Sequence, residues 1–255
     1  MSAIGESLAS DPLRKARQLA RPALPNRFYR VAETSPVERG FALRLDGKPA
    51  LTPGRNPLLV GAAALASAIE AEWAAQGELI DPGTMPATRL ANAAIDGVAS
   101  RAAEVRDSVV AYLNSDLLYY RAGEPEGLVA RERSLWDPIL AWAERRHGVR
   151  FVLAEGVMHV EQPERTLSAL AAEVARFADP FALAGLQLAT TLTGSALIAL
   201  ALAAREIGVD EAWAAAHVDE DWNISQWGED AEAAARRALR FADFRAAALA
   251  LEARA

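Results

Sequence analysis

The chain has 255 residues, 27 Lys plus Arg against 34 Asp plus Glu, a formal net charge of -7, three histidines and no cysteine. That length buries a sizeable core as one large or two small domains without covalent staples. The missing cysteines exclude thiol nucleophiles, disulfides, zinc–thiolate sites and iron–sulfur clusters. The acidic balance argues against a nucleic-acid partner and against docking on anionic lipid.

Residues 1–24 read as a leader, flexible or helical. Arg14, Lys15, Arg17 and Arg21 hint at an organellar presequence, but Glu6 and Asp11 oppose it, and no continuous apolar run supports export. Strands are expected next. Phe28-Tyr29-Arg30-Val31-Ala32 is short and aromatic, and Phe41-Ala42-Leu43-Arg44-Leu45 alternates with period two. Asp46-Gly47 suits a tight hairpin turn, Pro49 to Thr52 returns, and Leu58-Leu59-Val60 offers a further strand. Leu65, Ile69 and Trp73 then share one helical face over residues 62–76. Residues 25–85 therefore read as a small α/β domain of antiparallel strands plus a helix, and residues 86–255 as a larger helical domain, an α+β chain overall.

Helices are expected over 84–98, 101–121, 164–177, 180–206, 210–216 and 231–253. Another is expected to start at Trp136-Asp137-Pro138, with Asp137 as N-cap and Pro138 in the first turn, and to end at Gly148. Residues 151–160 look like a short hairpin broken at Glu155-Gly156. The stretch between Asp179 and Arg205 carries no charge and is long enough to span a bilayer. Its Pro180, Gln187, Thr190, Thr191, Thr193, Gly194 and Ser195, and its reliance on alanine, favour a buried helix at the centre of a helical domain over membrane insertion.

Catalytic parts are scarce. No glycine-rich phosphate loop or nucleophile elbow is present, and His147, His159 and His217 are scattered without metal-ligand spacing. The sharpest polar feature is Asp219-Glu220-Asp221, followed by Glu229-Asp230. Its carboxylates suit helix N-termini or partner contact. The enzyme alternative is a metal-dependent hydrolase using Asp219, Glu220 and Asp221 with a divalent ion. Arg236, Arg237, Arg240 and Arg245 read as a solvated helix face. Trp73 and Trp142 fall on apolar faces, whereas Trp213, Trp222 and Trp227 flank the acidic cluster and suggest a recognition surface.

Taken in order, the motifs are Arg27-Phe28-Tyr29-Arg30; Leu45-Asp46-Gly47-Lys48-Pro49 with Asn56-Pro57-Leu58; Glu72-Trp73-Ala74-Ala75-Gln76; Met85-Pro86-Ala87-Thr88 with Ala94-Ile95-Asp96; Asp116-Leu117-Leu118-Tyr119-Tyr120-Arg121; Trp136-Asp137-Pro138; Gly194-Ser195; and Glu220 leading to Trp227-Gly228. Together they resemble the assembly chaperones for the alpha subunit of the F-type ATP synthase catalytic sector, over nearly the whole chain. The resemblance implies a small α/β domain followed by an orthogonal helical domain, with no catalysis, no cofactor, no nucleotide requirement and no small-molecule substrate. The implied partner is the unassembled alpha subunit, held over the surface that later meets the beta subunit, in a bacterial cytoplasm or a mitochondrial matrix. Carried over by motif, Glu220, Trp222, Gln226 and Trp227 are expected at the partner contact. Asp116, Tyr120 and Arg121 are expected to form a polar network or a partner-facing surface, and Trp73, Trp136 and Asp137 to support the fold. Trp222 and Asn223 depart from the tyrosine and glutamine usual in the family, and Ala87 from a leucine.

Overall fold

The computed structural model describes residues 24–156 and 158–252. The expected leader therefore lies almost wholly outside the described residues. Strands β1 (Ala32–Val37) and β2 (Gly40–Leu45) form an antiparallel ladder from Ala32 opposite Leu45 to Val37 opposite Gly40. Short strands β3 (Lys48–Pro49) and β4 (Leu59–Val60) also pair with β2. Between β2 and β3, Asp46 and Gly47 both take positive φ, 50° and 76°, the backbone a two-residue hairpin needs. Helix α1 (Ala63–Ala74) covers β1 and β2, burying Leu65, Ala66 and Ile69 on the face that meets Leu43 and Leu45.

The strand expected at 28–32 begins only at Ala32. The amides of Arg30 and Val31 donate instead to the Asp46 carboxylate at 2.9–3.2 Å, so a side chain replaces the ladder there. Just before them, the Arg27 guanidinium collects the carbonyls of Tyr29, Arg30 and Gln76, tying the first strand's approach to the end of α1.

The helical part comprises α2 (Pro86–Asp96), α3 (Ala102–Tyr112), α4 (Glu126–His147), α5 (Glu164–Ala175), α6 (Pro180–Thr193), α7 (Ala196–Ala203), α8 (Val209–Ala216), α9 (Val218–Trp227) and α10 (Ala231–Glu252). Helix α6 is central, with α2, α3, α7 and α10 packed against it. Buried apolar residues from Tyr29 to Leu251 make one contiguous cluster across both parts of the chain. Among the described residues no helix is long and apolar enough to cross a membrane.

Four expected elements differ. The helix expected over 101–121 stops at Tyr112, where Asp116 caps a single 3₁₀ turn, Leu117–Tyr119. Tyr120–Arg121 then forms strand β5, paired in parallel with β6 (Ala154–Glu155), so the partner of β6 is β5 rather than a strand of the hairpin expected within 151–160. Gln162 holds that segment instead, accepting from the Val152 amide at 3.0 Å and donating to its carbonyl at 2.7 Å. Helix α4 does not start at Asp137. It runs unbroken through Pro138, because Glu132, Trp136, Ile139, Leu140 and Ala143 form one buried stripe on both sides of the proline. Burying that stripe outweighs the helix hydrogen bond that proline removes. Asp137, at mid-helix, accepts from the Arg121 guanidinium at 2.8 Å.

The uncharged stretch is two helices, not one. Gly194 takes φ +68° and ends α6, and Ser195 caps α7 by accepting from the Ile198 amide at 3.0 Å. The break is locked from outside. Asp116, fully buried, accepts the Ser195 hydroxyl at 2.6 Å, the Leu197 amide at 3.1 Å and the Leu118 amide at 3.1 Å. One carboxylate thus caps a 3₁₀ turn and a helix 79 positions further on. Burial nevertheless raises the Asp116 carboxyl to about 6, with the three donors opposing the rise.

Two outcomes are expected. Nothing stands where a Cβ on Gly194 would go, so Gly194→Ala should cost only the left-handed backbone penalty, about 1–2 kcal/mol in urea unfolding. For Asp116, the folded chain holds a proton that the unfolded chain releases near pH ~4. The stabilisation from that proton is complete below about pH 4 and is lost as pH rises through about 6. Asp116→Asn abolishes the titration, so parent stability relative to the variant should rise by about 1 kcal/mol from about pH 7 to about pH 5. A difference that does not change with pH would show that Asp116 does not titrate in this window.

Candidate functional site

Helix α9 carries the acidic cluster and two of the six tryptophans. Its start is satisfied electrostatically, since Asp219, Glu220 and Asp221 occupy the first turn, where unpaired amides favour negative charge. At about 100° per residue the three carboxylates diverge. Asp221 pairs with Arg237 of α10 at 2.5 Å. Asp219 lies beside Glu132 of α4, which is 2% exposed and accepts the Ala122 amide at 2.9 Å. Burial, reinforced by the Asp219 charge, raises the Glu132 carboxyl above the usual range. Glu220 is half-buried, and its charge acts on His217 and on Arg237 of α10.

Trp227 shares its face of α9 with exposed Asn223 and half-buried Glu220, at i+7, i+3 and i, while Asp219 is exposed beside them. Trp227 is 86% exposed, the most exposed large apolar side chain among the described residues, and Gln226 beside it also faces water. Val218 and Trp222 turn the other way, toward the body of the protein. Val218 is buried, and the partly buried Trp222 ring sits over Gly127 and beneath the Arg131 guanidinium, 5.0 Å away, at the start of α4.

The other residues expected at the partner contact lie elsewhere. Asp116 is wholly interior and presents no surface, so of the two roles open to it the structure fits the polar network. Arg121 donates to the Leu118 carbonyl at 3.1 Å and to Asp137 at 2.8 Å, and lies 5.1 Å over the Trp136 ring. Tyr120 is partly buried, its hydroxyl 3.4 Å from His159. Tyr120 and Arg121 thus join β5 to its neighbours, and Arg121 lies near Glu132, which also meets Asp219 at the start of α9.

Trp213, grouped with Trp222 and Trp227 from sequence, is core instead. It is 7% exposed and packs on His217, Phe241 and Phe244. Burial lowers the His217 pKa, which favours the neutral ring against that indole. Trp136 is 1% exposed and donates to the Ala215 carbonyl at 2.7 Å. Trp73 is partly buried and tilted against Tyr29, whose hydroxyl donates to the Trp73 carbonyl at 2.6 Å.

Its neighbours explain the Glu-Trp-Ala-Ala-Gln motif. Glu72 accepts the amides of Ala87 and Thr88 and the Thr88 hydroxyl at 2.6–2.8 Å, capping α2 from another helix. Gln76 accepts the Asp81 amide at 2.7 Å and donates to the Thr84 hydroxyl. Gly127, Arg131 and Glu132 were not singled out by sequence reasoning. The only signal was a glycine next to a proline-led helix start, which reads equally well as a loop.

Among the described residues no group of three or more His, Asp or Glu is placed to hold a metal ion. The hydrolase alternative therefore gains no support from the geometry of Asp219, Glu220 and Asp221, of which Asp219 meets Glu132 and Asp221 pairs with Arg237.

Comparison with known proteins agrees with this architecture. A profile described as ATP12 chaperone protein matches residues 26–144. The crystal structure of a candidate chaperone from Agrobacterium tumefaciens is 48% identical, with a TM-score of 0.84, over 96% of this chain and 92% of that one. Atp12 from Paracoccus denitrificans is 38% identical, with a TM-score of 0.79, over 89% of this chain and 97% of that one. With the small antiparallel sheet and the α6-centred helices in place, the chain belongs to the ATP12 chaperone family.

Proposed function

We propose that this protein is an assembly chaperone for the catalytic sector of the F-type ATP synthase. It holds the unassembled alpha subunit over its beta-contacting face, needs no ATP, and acts in the bacterial cytoplasm. The observation that carries the reading is the exposed end of α9, where an 86% exposed Trp227 shares a helix face with Asn223 and the half-buried Glu220. A tryptophan left in water on a stable monomer is a characteristic anchor for a protein partner. Carboxylates beside it steer encounter and limit wrong partners rather than adding much affinity. Such a surface suits reversible cover of the apolar interface that a ring subunit exposes before assembly. Family membership supports the class of client, and the resemblance of Glu220 and Trp227-Gly228 supports the contact.

Isolated alpha and beta subunits mixed separately with the protein test this directly. A near-stoichiometric complex with alpha alone, formed without nucleotide and suppressing its aggregation, is the expected result; equal binding to both, or to neither, overturns the reading. Glu220→Lys should weaken alpha binding by about tenfold, equivalent to about 1.4 kcal/mol, with the melting temperature unchanged. Unfolding of that variant would make Glu220 structural.

A further inference from the structure

We propose that Gly127 is a positioning residue for the α9 contact surface: the space left by its missing side chain seats the Trp222 ring, and that seat sets how α9 presents Glu220 and Trp227. The proposal rests on the client reading above and concerns the side of α9 opposite the client.

A Cβ at position 127 would stand 2.6 Å from Trp222 Cη2 and 2.8 Å from Cζ3, closer than carbon atoms pack. The Arg131 guanidinium, on an exposed side chain, lies over the ring at 5.0 Å. Arg131 stands one turn beyond Gly127 on α4, so floor and lid come from the same helix. The seat is therefore a notch on one helix. The remaining ties of α9 to its surroundings cluster in its first turn: Val218 in the core, Asp219 beside Glu132, and Asp221 paired with Arg237. Trp222 packs on α4 further along the helix, and a shift there would turn the outer stripe relative to α4 and α10. Trp227 lies at the far end of α9, five positions beyond Trp222, where such a turn moves it furthest.

Position 127 lies in the first turn of α4, where alanine is a better helix former than glycine. Gly127→Ala therefore leaves α4 intact while filling the notch. Trp222→Phe shortens the ring and reopens it. Full-length protein labelled with 5-fluorotryptophan, its Trp222 and Trp227 ¹⁹F resonances assigned by Trp→Phe substitution, reports the seat without any client. We expect Gly127→Ala to shift both resonances and to weaken alpha-subunit binding at least about fivefold at an unchanged melting temperature. Gly127→Ala combined with Trp222→Phe should restore the Trp227 resonance and most of the affinity. Unchanged resonances in Gly127→Ala, or parental affinity despite shifted ones, overturns the proposal, as does a double variant that recovers neither. Glu220→Lys separates the two levels. If it binds alpha as the parent does, the client surface itself is wrong; if it loses binding while Gly127→Ala keeps it, only the positioning role fails.

Discussion

Asp46, Glu70, Glu72, Asp96, Asp116 and Glu132 all accept backbone N–H groups from segments remote in the sequence, and these bonds hold the elements of the protein in place. Asp46 takes two amides of the first extended segment, and Glu72 takes two at the start of α2. Asp96, at the end of α2, gathers Thr52, Gly54 and Asn56 of the loop after β3. Helix starts and irregular loops leave amides that no ladder can satisfy, and each buried one left unpaired costs about 1–3 kcal/mol. A carboxylate has lone pairs for two or three such donors and a charge that strengthens each bond. Glu72 and Asp96 reach between the sheet unit and the helices, so the two parts of the chain are joined by polar ties as well as by their shared apolar cluster.

The solvent exposure of these acids sets the character of each tie. Asp46, Glu70 and Asp96 stay near water, and their donors hold the carboxyls below the usual range. Glu72, Asp116 and Glu132 are pushed up by burial despite comparable donors. The outer ties are therefore charged under all ordinary conditions, whereas the inner ones lie closer to protonation. Asp116 is the extreme case, and it sits at the one place where the central apolar run changes direction.

Much of the fold was legible where the signal was local. Period-two alternation and Asp46-Gly47 located β2 and its turn, and the i, i+4 spacing of Leu65 and Ile69 located α1. Local signals failed where a distant partner decided the outcome. Asp137-Pro138 has the chemistry of a helix start, yet the buried stripe through Trp136 and Ile139 carries α4 across it. Gly194-Ser195 lie inside what reads as one long helix, and only Asp116, 79 positions away, shows that they form a stop and a cap. At the surface, the acidic cluster was visible as composition, but the setting of each of its three carboxylates depends on Glu132 and Arg237 in other helices. Trp213 and Trp222 illustrate the same limit, being close in sequence to Trp227 and turned inward by packing that no spacing rule encodes.

One of the polar ties bears on the company this protein keeps. Strand β1 lies at the margin of its sheet, and the Thr34 amide, which would otherwise be free to template an incoming strand, donates to Glu70 at 2.7 Å, with the Thr34 hydroxyl at 2.5 Å on the same oxygen. Pro36 removes another donor from that margin. A molecule that keeps close to unassembled, aggregation-prone polypeptides is exposed to being recruited into their growing sheets. By closing its own open border with a helix-borne glutamate, this chain denies such sheets a place to add the next strand.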